Sequence, residues 1–167
     1  MRCALVVRTV GVMNNSTFRV VPLQTEVADA ARCAVERGAP DHRIVIADSP
    51  GGFPCRHCLR WANLGERMIL FPFAAIPDGV PYSERGPIFV HSQACERYAM
   101  VHEFPADFRE GRVIRAYDAD RNIIAAEIVN GSEPEAIIAK FFEQPETAFV
   151  HVRSASYGCY TTEVQRR

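Results

Sequence analysis

Four places in this 167-residue chain are the candidates for binding a metal or for nucleophilic attack. They are Cys55, His57 and Cys58; His91 with Cys95; His102; and His151 with Cys159. The densest is Pro54-Cys-Arg-His-Cys-Leu59. A Cys-x-x-Cys pair sets two sulfurs one coordination edge apart, and zinc takes four tetrahedral nitrogen or sulfur ligands. On a zinc reading, Cys55 and Cys58 are one ligand pair, and His91 and Cys95 are the other. His91 ends an expected strand, and Cys95 follows one turn into a short helix expected after Ser92. The second pair does not have zinc-ribbon spacing, and reduced cysteines often simply pack in a core.

The same motif also permits dithiol chemistry. Cys55 would attack as a thiolate, activated by the positive charge of Arg56 and His57, and Cys58 would resolve the mixed disulfide. A thioredoxin-like site needs a long helix starting at the motif, and the early Gly65 argues against one.

A third arrangement uses one cysteine nucleophile, a histidine base and an arginine anchor for an anionic substrate. Alternation along Phe149–Arg153 puts His151 and Arg153 on one face, and Cys159 follows in the same hairpin. Cys55, His151 and Cys159 are its candidate catalytic residues. Two loops rich in proline and glycine, Ser49–Pro54 and Asp78–Pro87, have the shaped character of loops that line binding sites. They add Tyr82, Glu84 and Arg85 as polar contacts. The competing reading is an ordinary sheet with solvent-facing His and Arg.

The elements that must position these groups are read from periodicity. A helix is expected from Glu26 to about Arg37, capped by Thr25 and stopped by Gly38 and Pro40, with Val27, Ala31, Ala34 and Val35 inward. A second is expected from Glu133 to about Glu143, with Ser132 and Glu135 at capping-box spacing and Ile137, Ile138, Phe141 and Phe142 inward. Strands are expected at Phe18–Leu23, Arg43–Ala47, Arg67–Phe71, Pro87–His91, Arg112–Tyr117, Ile123–Val129, Phe149–Arg153 and Cys159–Val164. This predicts an α+β fold: one domain, a mostly antiparallel sheet and two main helices packed on one face.

Bulk properties narrow the function little. The length suits one domain with a self-sufficient core. A net charge of −1 gives no pull toward nucleic acid or an anionic membrane. Lys140 is the only lysine, and the arginines are spread along the chain without forming a patch. No targeting or membrane-spanning segment is evident, so a cytoplasmic location with reduced cysteines is expected. Residues 1–12 are expected to be an extension before a domain at 13–167, with Met13 a second candidate start.

The ordered series Phe18-Arg-Val-Val-Pro-Leu, Pro54–Leu59, Gly65-Glu66, Pro81-Tyr82, Gly86–Val90, Val152-Arg153 and Gly158-Cys159 resembles the bacterial domain of unknown function 1203 family. The resemblance covers the chain from about Met13 and implies no activity. It also implies that serine often replaces Cys58, which shifts weight from a two-cysteine mechanism to Cys55-Arg56. The favoured expectation is therefore a small-molecule site for an anionic ligand, with Cys55, His151 and Cys159 as reactive groups and Arg56, Tyr82, Glu84 and Arg153 as contacts. The alternative is a non-catalytic interaction domain with a structural zinc on Cys55, Cys58, His91 and Cys95.

Overall fold

Alternating burial along the strands sets the architecture in the computed structural model, which describes residues 17–131 and 133–167. The expected extension at 1–12, the start at Met13 and the cap at Ser132 lie outside the described residues. In chain order the elements are β1 (Phe18–Val21), α1 (Thr25–Glu36), β2 (Arg43–Ile46), β3 (Arg67–Ile76), β4 (Glu84–His91), a 3-10 turn (Ala106–Phe108), β5 (Arg112–Tyr117), β6 (Ile123–Ile128), α2 (Pro134–Phe142), β7 (Phe149–Ser154) and β8 (Tyr160–Arg166).

The strands form two antiparallel sheets, β1-β8-β7-β5-β6 and β2-β3-β4. The α+β expectation holds, with the strands divided so that each helix has its own sheet: α1 lies on β3 and α2 on β5. The larger core joins Ile137, Ile138, Phe141 and Phe142 of α2 to Ile114, Val150, Val152 and Val164 of the five-stranded sheet. The smaller core joins Ala28 and Ala31 of α1 to Met68, Ile69 and Val90, and it includes Cys55 and Cys58. Among the described residues, no helix is long and apolar enough to cross a membrane.

Strand β3 is longer than expected because it continues through Pro72, which opposes Pro87 of β4. Beyond Leu70 the far side of β3 has no partner, since β2 ends there, and β4 is the sheet edge. Prolines are tolerated at such positions because their missing N–H groups leave no ladder bond unmade.

Two helix expectations change. Gln24, not Thr25, is the N-cap residue of α1, without a side-chain cap bond. The Thr25 hydroxyl lies 3.0 Å from His57 Nε2 instead. Residues 94–100 form no helix. They cross the molecule as irregular chain, fixed by Tyr98 N–H to the His57 carbonyl at 3.0 Å and by Arg97 to the carbonyls of Pro22 and Leu23.

Candidate metal centre and the adjoining arginine cavity

The Cys-x-x-Cys segment is a tight hairpin. Cys55 N–H donates to the Arg60 carbonyl at 2.9 Å, Leu59 N–H donates to the Cys55 carbonyl at 3.0 Å, and Pro54 bridges Trp61. The turn requires a left-handed residue, and Leu59 supplies it at φ 53°. That conformation is costly for a bulky side chain. Leu59 tolerates it because the side chain is anchored in the larger core, 1% exposed. Cys55 also bridges Phe89, and Arg56 N–H donates to the Phe89 carbonyl, so the hairpin is pinned to β4.

This pinning brings both cysteines to His91, the last residue of β4, while the 94–100 segment delivers Cys95. The donor atoms of Cys55, Cys58, His91 and Cys95 all lie within 4.8 Å of one another. The Cys55 and Cys95 sulfurs are 3.9 Å apart. Cys58 Sγ and His91 Nδ1 are 3.6 Å apart. A tetrahedral zinc with Zn–S of about 2.3 Å and Zn–N of about 2.0–2.1 Å has edges of roughly 3.8 Å between sulfurs and 3.6 Å from sulfur to nitrogen. These two separations are those of a coordination shell.

The next layer has the same character. His91 presents Nδ1 to the sulfurs, and its Nε2 is 3.2 Å from Glu66 Oε2. Glu66 is itself held by the Asn63 backbone N–H at 2.7 Å and by Asn63 Nδ2 at 3.1 Å. A histidine with one ring nitrogen toward a metal and the other on a carboxylate is the usual arrangement of a ligating imidazole. His57 Nδ1 lies 3.2 Å from the Cys95 sulfur. The tautomer with Nε2 accepting from Thr25 and the proton on Nδ1 would donate to that sulfur as a thiolate. Residue types alone do not reveal Glu66 and His57 as outer partners, because their roles depend on the fold.

Without a cation, Cys55, His91 and Cys95 hold their protons unequally. Hydrogen bonds from Cys58 and then Cys95 hold the Cys55 thiol far below its ordinary range, against the effect of burial. The bond to Cys55, then that to Cys58, pushes Cys95 up. Cys55, then Cys58, pushes His91 up to about 10. A hydrogen bond to Cys58 raises Arg60. Burial lowers His57, and Arg32 acts in the same direction. The cluster thus pairs a Cys55 thiolate with a protonated His91, whose proton a bound cation would displace.

The other predicted residues are not drawn into this cluster. Cys55 itself is 0% exposed, with its sulfur among the four clustered donors. His151 is also fully buried, among the rings of Tyr117, Phe149 and Tyr160. Its Nε2 is 3.6 Å from Glu163. No hydrogen bond links His151 to Cys55 or Cys159. Cys159 is half-buried, and its sulfur approaches the Tyr157 carbonyl. Tyr82 is exposed in the β3–β4 turn. Glu84 is paired with buried Arg153, which also donates to the Gly158 carbonyl.

Arg56 and Cys159 do meet, across a cavity of about 570 Å³ also bordered by Trp61, Phe89 and Arg112. Arg56 donates through Nε to the Tyr160 carbonyl at 2.8 Å and through Nη1 to the Pro54 carbonyl at 2.6 Å. Burial lowers it to about 10. Arg112, at the start of β5, lies over the rings of Phe108 and Trp61 at 4.8 and 5.3 Å. Burial lowers it as well.

The family described as Protein of unknown function (DUF1203) matches residues 52–166, and the chain belongs to it. The matched span holds the four clustered donors, Glu66 and both cavity arginines. Comparison with curated proteins and with solved structures gives no match.

Proposed function

For this member of the DUF1203 family, we propose a non-catalytic binding domain organised around a structural zinc ion held by Cys55, Cys58, His91 and Cys95. The observation that carries this reading is the convergence of four soft donors within 4.8 Å, drawn from three separate segments. Three thiolates and one imidazole are a closed donor set for zinc, with no position left for water or substrate. That argues for a structural role. The metal would fasten the hairpin to the end of β4 and to the irregular 94–100 segment, which has no sheet or helix of its own to hold it.

Burial supports this reading over a reactive Cys55. A nucleophile must meet its substrate, and the Cys55 sulfur faces the other donors with no exposed surface. An even charge balance also favours the metal. Three thiolates and Zn²⁺ sum to −1, and Arg60 lies beside Cys58 to offset it.

The test is metal analysis of the full chain purified without chelator. About one zinc per chain is expected, as for a four-ligand structural site. It should be lost in Cys58→Ser and in Cys95→Ser. Metal-free protein whose Cys55, Cys58 and Cys95 are all alkylated freely would overturn the proposal.

A further inference from the structure

The cavity beside the hairpin holds two positive charges that the protein does not neutralise. Arg56 is 3% exposed and Arg112 is 4% exposed. Among the described residues neither forms an ion pair. The two acceptors of Arg56 are neutral carbonyls, and among the described residues its Nη2 has no hydrogen-bond partner. Among the described residues the Arg112 guanidinium makes no hydrogen bond, and its Nε is fully buried without an acceptor. Leaving a buried guanidinium without a carboxylate or a full set of acceptors is costly. Arg153 shows the contrast nearby, because Glu84 meets its charge. Glu110 borders the cavity at its exposed rim without reaching either arginine.

The rest of the wall is mainly apolar. Phe53 and Phe89 meet edge to face, with centroids 5.4 Å apart. Trp61 lies against Arg112 on the cavity wall, its indole N–H tied to the Asp107 carbonyl at 2.8 Å. Ser154 and Ser156 also border the cavity, their hydroxyls 3.3 Å apart. A volume of about 570 Å³ is in the range of small-molecule sites, which combine apolar walls with a few convergent polar groups. Arginine's planar fork matches the paired oxygens of a carboxylate or phosphate.

We propose that this cavity binds a small organic oxyanion, with its carboxylate or phosphate head on Arg112 and Arg56 and its apolar body against Phe53, Trp61 and Phe89. Binding is reversible, with no covalent step. Arg56 projects into the cavity from the turn whose flanking cysteines face the metal cluster. The hairpin therefore serves both sites, but the arginine pocket does not depend on which ion the cysteines hold.

Trp61 is the only tryptophan in the chain, so its emission reports directly on the cavity. The full-length protein is titrated with benzoate, phenyl phosphate, inorganic phosphate and the neutral isostere benzamide. Saturable change with benzoate or phenyl phosphate is expected, with benzamide weaker by about tenfold or more, the worth of one charge-assisted hydrogen bond. The preferred head is whichever of the two binds tighter.

Arg112→Met should weaken binding of that probe by about tenfold or more. The same variant should melt no lower than the parent, because it removes an uncompensated buried charge. A Tyr98→Phe control, outside the cavity, should bind like the parent. The proposal is overturned if benzamide binds as well as benzoate. It is also overturned if inorganic phosphate matches phenyl phosphate, if no probe binds, or if a folded Arg112→Met retains full affinity.

Discussion

The outer contact of His91 gives the sharpest test of the metal centre. Glu66→Gln removes the charge facing His91 Nε2 and keeps a carbonyl oxygen to accept from the Asn63 N–H. At 3.2 Å, the neutral imidazole of a ligating His91 donates to the Glu66 carboxylate, a charge-assisted hydrogen bond worth about 1.5 to 3 kcal/mol. The Glu66 side chain is 40% exposed, so the lower end applies. About 1.4 kcal/mol corresponds to a tenfold loss of zinc affinity, the lower bound for removing an outer partner of a ligating histidine. The assay is competition for zinc against a chromogenic chelator at fixed pH, with Asn63→Ala as a control for loosening of the turn. Affinity within twofold of the parent in Glu66→Gln would refute the reasoning and leave Glu66 an ordinary surface carboxylate. An equal loss in Asn63→Ala would assign the effect to the turn.

Further outcomes follow from other parts of the structure. Of the five cysteines in the described residues, exposed Cys33 and half-buried Cys159 should be alkylated first. Cys55, Cys58 and Cys95 should react only after chelation, as read by peptide mass spectrometry. Burial raises Tyr160 above its ordinary 10.0, so the folded state keeps the phenol proton longer than the unfolded chain. Its contribution to stability is therefore fully present below pH 10 and is lost as pH rises through the higher folded value. Tyr160→Phe should flatten the alkaline limb of stability measured by urea unfolding between pH 8 and 11 (about 10 being the ordinary phenol value). Ile138→Ala, at a fully buried position between α2 and the five-stranded sheet, should cost about 2 to 5 kcal/mol in the same assay. A cost below 1 kcal/mol would mean that the site collapses around the smaller side chain (about 1 kcal/mol being the effect of an ordinary substitution).

Much of the fold is legible because local patterns agree with tertiary packing. Strand β5 begins and ends where alternation places it, and the four inward residues of α2 are those its period selects. The division into two sheets is not legible, since nothing local tells β4 to pair with β3 alone. The four metal-capable residues are legible as types. Their convergence is not, because Cys95 arrives on irregular chain without periodicity. Arg112 escapes sequence reading for a similar reason. At the head of a strand it looks like a solvent-facing charge, and only the packing of Phe108 and Trp61 around it makes it a buried cation. Glu84 and Arg153 show the converse: both are polar residues suited to a site, and they spend their charges on each other.

The four-donor cluster also has a topological consequence. Cys55 and Cys95 are 40 residues apart, and Cys58 and His91 are 33 apart. An ion holding all four would act as a cross-link around the whole of β3 and β4. Closing a loop of that size costs an unfolded chain about 3 kcal/mol of entropy. A chain whose ligands stay on the ion after denaturation would begin refolding with that closure already made. Refolding should then be faster with zinc retained than after the ion is stripped, and chelator added to the denatured state should slow it. In the native state the same closure would limit how far the loop carrying β3 and β4 can expand, so an ion holding the four donors would slow the unfolding of this half of the molecule.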